Sequence, residues 1–275
     1  MTIADRTELA GVRRVVVKVG SSSISGDNAG KILTIVDALA KAHGRGTEVV
    51  LVSSGAIATG MPYLALDERP VDLATQQAAA AVGQNVLIYR YQDALRPFAI
   101  VAGQVLLTAG DLENATHRSN ARRAMERLLG LRILPIVNEN DTVATHEIRF
   151  GDNDRLAALV AALIGADALV LLSDIDCLYT RPPSEPGARR IDTIAFGDDL
   201  SDFEFGATVV NSVGTGGAAT KASAARLAAA AGVGVLVTSA DLVDEALSGG
   251  PVGTWFAPDP DAAPLAGTGA LRTSS

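Results

Sequence analysis

Residues 150–180 read FGDNDRLAALVAALIGADALVLLSDIDCLYT, and they place four acids, Asp152, Asp154, Asp174 and Asp176, around two very apolar segments. Residues 154–164 contain Leu and Ala formers and no proline, which predicts a helix. ALVLLSD, residues 168–174, is a continuous apolar run of strand length. A helix followed by a fully apolar strand is half of a parallel α/β repeat. The acids at the ends of these elements either cap and solubilise them or surround a bound charge.

The same alternation extends outward in both directions. VVVKVG at residues 15–20 has the β-branched character of a central, doubly covered strand. Residues 31–46 read as a helix ending in glycine. A short buried strand follows in EVVLVSSGAIATG, then a helix over 73–91 and a strand over 99–107. Asp111 opens a segment leading into the polar helix NARRAMERLLG. A strand over 132–137 delivers the loop NENDTV, and THEIRFGDND forms a polar excursion, read as a hairpin. RPPSEPGARR is a surface connection because its prolines and charges suit neither helix nor central strand. Residues 211–220 read as a glycine-rich loop, with a helix KASAARLAAAAG after it, then the strand GVGVLVTS and a short helix LVDEALSG. The pattern is that of a layered α/β fold with a mainly parallel sheet. Such sheets bind ligands beyond the C-terminal ends of their strands. The polar loops after Val17, Val52, Val137 and Leu172 all fall there.

Bulk properties narrow the class. The chain has 275 residues, 48% of them hydrophobic, enough for one substantial core. A net charge of −8 argues against a nucleic-acid binder, which needs a basic stripe. It leaves room for an anionic ligand, because local lysines and helix N-termini override net charge. One cysteine, Cys177, excludes an intrachain disulfide and a cysteine metal cluster, and reads as a buried thiol. His43, His117 and His146 lack metal-ligand spacing and read as surface or loop residues. No secretory signal or membrane-spanning run is present, so a soluble cytoplasmic protein is expected. The tail from Pro258, rich in Pro, Ala, Gly and Ser, is expected to be poorly ordered.

Three small-residue loops, at residues 20–23, 53–56 and 214–217, suit phosphate. Glycine lets backbone N–H groups converge on an anion, and a following helix adds its positive end. Each alone also fits a plain tight turn. GxxxxGK[ST] is absent and no GxGxxG opens the first unit, which excludes a Walker loop and a dinucleotide-binding Rossmann domain. Lys18 ends an apolar strand. It belongs either to an edge strand with its side chain reaching water or to a site where it meets a transferring phosphate. Lys221 reads as opening a helix after the third loop, where its charge opposes the helix dipole unless an anion lies there. Capping explains one of Asp152, Asn153 and Asp154. It does not explain three polar groups together with Asp141, for which a substrate ammonium is a suitable guest.

The ordered set VVVKVGSSS, VSSGAIATG, QQAAAAVGQ, GQVLLT, NARRAMERLL, PIVNENDTV, FGDNDRLAALVAALIGAD, LLSDIDCLYT and SVGTGGAATK resembles glutamate 5-kinase, of the amino-acid kinase superfamily, over residues 13–256. The resemblance implies a three-layer αβα sandwich and ATP-dependent phosphorylation of the L-glutamate γ-carboxylate, the first step towards proline. It also implies magnesium carried mainly on nucleotide phosphates, a homo-oligomer, feedback inhibition by proline, and a glutamyl-phosphate reductase as possible partner. It makes Lys18, Lys221 and Asp154 catalytic, with Asp154 aligning the lysines. It puts Ser54, Gly55, Asp141, Asp152 and Asn153 on glutamate. Gly20, Ser173, Asp174, Ser212, Val213, Gly214, Thr215, Gly216, Gly217 and Lys221 fall on ATP, and no residue is assigned as a metal ligand. The expected organisation is a kinase domain over 1–257, mainly glutamate-binding in its N-terminal part and ATP-binding in its C-terminal part, with a tail over 258–275.

The chain departs from the family pattern in places. Ser173 replaces a threonine but keeps a hydroxyl, Cys177 stands where a glycine is usual, and Ala218 where a methionine is usual. YTRPPSEPG lacks the acidic-proline sequence after YT. Many relatives carry a C-terminal PUA domain; about twenty residues follow Trp255-Phe256 here, so a form without it is expected. Relatives that phosphorylate aspartate, N-acetylglutamate, carbamate or a nucleotide are the rival readings, as is a silent sensor retaining both pockets.

Overall fold

The computed structural model describes residues 3–24, 28, 30–144, 153–200, 210–211, 214–215 and 217–262. The strands are β1 (Arg14–Lys18), β2 (Glu48–Val52), β3 (Ala102–Leu107), β4 (Leu134–Glu139), β5 (Ala168–Ser173), β6 (Thr193–Ile194), β7 (Val210–Asn211), β8 (Gly214–Thr215), β9 (Gly234–Ser239) and β10 (Thr254–Phe256). The α-helices are α1 (Lys31–Gly44), α2 (Ala56–Gly60), α3 (Leu73–Leu95), α4 (Ala109–Glu113), α5 (Ala115–Gly130), α6 (Asn153–Ile164), α7 (Ala218–Ala230) and α8 (Val243–Leu247). Eight strands form one sheet in the order β3-β4-β2-β1-β5-β9-β10-β6. Its pairs are parallel except β10 against β9. β7 and β8 make a separate antiparallel ribbon.

Period-2 alternation along β1 explains the layering. Val15 and Val17 point into a core shared with α1, α3 and α8. Val16 points into the opposite core, shared with α5, α6 and α7. Residue 18 must follow residue 16, so the Lys18 side chain is delivered to the α6–α7 side at the C-terminal end of the strand. β1 is flanked by β2 and β5, with Lys18 in register with Val52 and Leu171. The edge-strand reading of Lys18 therefore falls. This is the three-layer αβα sandwich that the family resemblance implied.

Several boundaries move from their expected places, each for a local reason. The strand expected over 99–107 starts at Ala102, because residues 96–98 make a 3-10 turn and Ala99 is left-handed (φ 55°). Arg132 is also left-handed (φ 60°), so β4 starts later than expected and carries Asn138 and Glu139 as strand residues. The segment expected to open at Asp111 is two helices: Thr108 caps α4 with Asp111 as its reciprocal partner, and Asn114 caps α5. α3 runs on to Leu95. Among the described residues no helix is long and apolar enough to cross a membrane. Within the tail, residues 258–262 are described, and the excursion over 145–152 lies outside the described residues.

Candidate active site

The C-terminal ends of β1, β2, β4 and β5 gather the loops singled out from sequence. Lys18 and Asp154 are 4% and 0% exposed, and Lys221 is 6% exposed. The Lys18 ammonium Nζ lies 2.5 Å from Asp154 Oδ1. The Lys221 Nζ donates to Asp154 Oδ2 at 3.0 Å. One carboxylate thus holds two lysines from separate elements, one oxygen each. Burial pushes the Asp154 carboxyl up, but the charges and hydrogen bonds of Lys18 and Lys221 outweigh it and hold the group below its ordinary value. The formal sum of this buried triad is +1, so it is poised to meet an anion.

Lys221 does not open its helix. α7 starts at Ala218, and Lys221 closes the first turn, its N–H bonded to the Gly217 carbonyl at 3.2 Å. Thr220 makes the start: its Oγ1 accepts from the Gly217 N–H at 3.0 Å and donates to the Gly217 carbonyl at 2.9 Å. The loop expected over 211–220 is likewise partly regular, with Gly214 and Thr215 in the β7–β8 ribbon. Ser212, Val213 and Gly216 lie outside the described residues, as does Asp152.

Around the triad, Gly20 follows Lys18 closely; a Cβ there would sit 3.8 Å from the Lys18 Nζ. Gly55 is left-handed (φ 88°) and heads α2, and a Cβ on it would meet the Ser21 Cβ at 3.1 Å. The first and second small-residue loops therefore touch, bringing half-buried Ser54 beside the Gly20 loop. α2 is fixed in turn by a glycine crossing with α3. A Cβ at Gly83 would lie 1.7 Å from the Ala56 carbonyl oxygen, and one at Gly60 1.9 Å from that of Ala79. No side chain fits at either position without moving a helix.

Asn153, the first residue of α6, donates its Nδ2 hydrogens to the Ser53 carbonyl at 2.6 Å and to Asn138 Oδ1 at 2.8 Å. Asn138 Oδ1 also accepts from the Glu139 N–H at 2.9 Å. Asn153 is thereby tied to β2 and β4 at once. Asp141 is half-buried on the turn after β4. At the end of β5, buried Ser173 donates from Oγ to Oδ1 of exposed Asp174 at 3.0 Å. Cys177 is fully buried, as expected, and burial, then the Asp176 charge, raise its thiol above the ordinary range. His43 lies on α1 and exposed His117 on α5, while His146 lies outside the described residues.

Sequence reasoning assigned no role to Asn138, although an asparagine inside the apolar run PIVNE is itself a signal that a buried polar contact is needed. It also left unassigned the glutamines of QQAAAAVGQ.

A buried Lys–Asp–Lys set thus stands at the mouth of a parallel sheet, beside glycine loops. The sequence model of the Amino acid kinase family matches residues 13–239, and the chain belongs to that family. Within it, the chain is similar to curated proteins named glutamate 5-kinase. It is 72% identical to the one from Clavibacter sepedonicus, over 94% of this chain and 99% of that one. It is 72% identical to that of Leifsonia xyli subsp. xyli (strain CTCB07), over 94% and 96%. The protein of Salinispora arenicola (strain CNS-205) is 54% identical, over 93% of this chain and 70% of its own length. Among solved structures, carbamate kinase from Giardia lamblia bound to AMP-PNP has a TM-score of 0.67 at 17% identity, covering 91% of this chain and all of that one. An isopentenyl phosphate kinase has a TM-score of 0.60 at 19% identity, over 88% and 99%. These two establish the fold alone.

Proposed function

We propose that the chain phosphorylates the γ-carboxylate of free L-glutamate with ATP, giving L-glutamyl 5-phosphate. The single observation that carries the site assignment is the Asp154 carboxylate holding the Lys18 and Lys221 ammonium groups in one buried set. An oxygen of the γ-carboxylate forms a bond to the γ-phosphorus of ATP as the bond to the β,γ-bridging oxygen breaks, and ADP leaves with that electron pair. The carboxylate is already ionised near neutral pH, so no proton moves and no general base is required. The barrier is the repulsion of two anions. Lys18 and Lys221 offset the charge on the transferring oxygens, and Asp154 fixes where they stand.

Glutamate lies on the N-terminal side of the site. Ser54 and the Gly55 N–H hold its carboxylates, and Asp141 and Asp152 its ammonium. The amide hydrogens of Asn153 are engaged by Ser53 and Asn138. Its Oδ1 is therefore the atom to accept from the substrate ammonium. ATP lies on the C-terminal side, over Gly20, Ser173, Asp174 and the residues 212–217 that lead to Lys221. The kinase domain spans 1–257 and residues 258–275 form its tail.

Among the described residues no group of three His, Cys, Asp or Glu is placed to hold a metal. Buried Asp154 is already engaged by two lysines, and a magnesium ion carried by nucleotide phosphates and water would not need it as a ligand. Such an ion would neutralise phosphate charge, with exposed Asp174 on the proposed nucleotide side. The enzyme works in the cytoplasm as a homo-oligomer, is inhibited by proline, and passes its labile acyl phosphate to a reductase.

The test is ATP consumption with free glutamate, aspartate and N-acetylglutamate, with hydroxylamine trapping of acyl phosphate. Trapped product with glutamate alone is expected. Turnover with N-acetylglutamate but not glutamate would overturn the substrate assignment, because acetylation removes the ammonium for which the acidic pocket is proposed. In Asp141→Ala the KM for glutamate should rise with little change for ATP; an unchanged glutamate affinity would remove Asp141 from that role.

A further inference from the structure

The QQAAAAVGQ segment lies in α3, outside the loops that bear on substrate, yet it reaches one of them twice. Gln84, buried in the helix, donates from Nε2 to the Glu139 carbonyl at 3.2 Å. Gln77 donates from Nε2 to the Ala144 carbonyl at 3.3 Å. The two glutamines are seven residues apart, two helical turns, and so share one face of α3. Their acceptors bracket residues 140–143, the turn that carries Asp141.

Within that turn the chain is held chiefly by Asn140. Its N–H bonds the Leu107 carbonyl at 2.9 Å, its carbonyl accepts from the N–H groups of Val143 (3.2 Å) and Ala144 (3.1 Å), and its Oδ1 accepts from Thr142 Oγ1 at 2.6 Å. The Leu107 bond ties the turn to the end of β3, and the others close the turn upon itself. Ser54 precedes α2, which is locked to α3 at Gly83. The two glutamine bonds tie the Asp141 turn to α3, the helix against which α2, headed by Gly55, is packed.

We propose that Gln77 and Gln84 are positioning residues for glutamate: they clamp the Asp141 turn at both ends so that its carboxylate stands at a fixed distance from the Ser54 loop. The inference rests on the assignment of Asp141 to the substrate ammonium. A long helix is a suitable ruler because its own hydrogen bonds hold the two glutamines in constant relation. The clamp acts on ground-state binding, since Gln77 and Gln84 bond the Ala144 and Glu139 carbonyls and not Lys18, Asp154 or Lys221.

The experiment compares Gln77→Glu, Gln77→Lys, Gln84→Met and Asp141→Asn in the full chain. KM for glutamate, KM for ATP and kcat are measured, with hydrogen exchange of residues 139–144. Gln77→Glu keeps the shape but removes the donor, and should raise the glutamate KM about tenfold, the fold-change of roughly 1.4 kcal/mol. kcat and the ATP KM should stay within about twofold, and exchange over 139–144 should quicken. Gln84→Met should act in the same direction; Gln77→Glu, half-buried, keeps the test available if that variant does not fold. Gln77→Lys retains a donor at similar reach and should return the glutamate KM to near the parent value. An unchanged glutamate KM in Gln77→Glu, with a raised one in Asp141→Asn, overturns the clamp alone. An unchanged value in both overturns the Asp141 assignment and the clamp with it. Equal losses in kcat and both KM values would reduce the glutamines to general stability and overturn the proposal.

Discussion

Replacing Asp154 by Asn changes almost no volume but removes the carboxylate charge that two buried ammonium groups share. Lys18 and Lys221 stand 2.5 Å and 3.0 Å from its two oxygens, and the side chain is fully buried. At an effective dielectric of about 20, opposite charges 4 Å apart attract by about 4 kcal/mol, and desolvation of all three groups offsets much of that. Losing one partner of a buried set costs about 3–5 kcal/mol, because the remaining charges stay buried uncompensated. The amide would also turn its Nδ2 hydrogens towards one ammonium, donor against donor. At about 2–4 °C per kcal/mol for chains approaching this size, Tm should fall by roughly 6–20 °C. The assay is a thermal melt with and without a non-hydrolysable ATP analogue. Its phosphates supply the missing counter-charge, so the analogue should raise Tm more in the variant than in the parent. Turnover should fall by about a hundredfold from misplacement of the lysines. A variant that melts within about 2 °C of the parent, far less than the burial demands, would refute the reasoning. So would an equal analogue shift in both proteins.

The remaining predictions follow from neighbouring features. Lys221→Ala and Lys18→Ala should each lower kcat by about 10²–10³ at saturating substrates while leaving a folded protein, since each lysine stabilises charge that develops on transfer; parent-like turnover would remove that lysine from the chemistry. Gly83→Ala drives a Cβ to 1.7 Å from the Ala56 carbonyl, so α2 must move. Stability should drop by about 1–3 kcal/mol in urea melts, and the glutamate KM should rise more than that for ATP. The depressed Asp154 carboxyl stabilises the fold fully above its unfolded value of 3.8, and this contribution is lost as pH falls through its lower folded value. The stability gap between parent and Asp154→Asn should therefore be constant from pH 7 to just above 3.8 and close as pH falls from there through the lower folded value. A gap that closes between pH 5 and 7 would contradict the ion-pair account.

The layer order was legible because β1, β2, β5 and β9 are apolar runs whose β-branched and leucine side chains cannot be placed on a solvated surface. Lys18 was legible as an anomaly for the same reason: a charge at the end of such a run demands a partner. What the local pattern could not convey was which partner. Asp154 lies 136 residues away and reaches Lys18 only because α6 packs on the face to which residue 16 also points. Helix starts were read less well, since caps such as Thr108, Asn114 and Thr220 act through one hydrogen bond each and leave little mark on periodicity. The start of β4 was missed because Arg132 takes a left-handed conformation that nothing in its residue type favours. Gln77 and Gln84 were hidden by distance, because they donate to backbone carbonyls brought in by the fold and a carbonyl has no sequence signature; the donor to Asn138, Asn153, is likewise distant in sequence.

The most direct measurement is a crystal structure of the full chain with L-glutamate and a non-hydrolysable ATP analogue. The account predicts the Nζ atoms of Lys18 and Lys221 on oxygens around the γ-phosphate, Asp154 still between them, and the glutamate ammonium beside Asp141 and the Oδ1 of Asn153. Lysines turned away from the phosphates in a complex that is competent on release of the block, or glutamate seated away from the Asp141 turn, would contradict it.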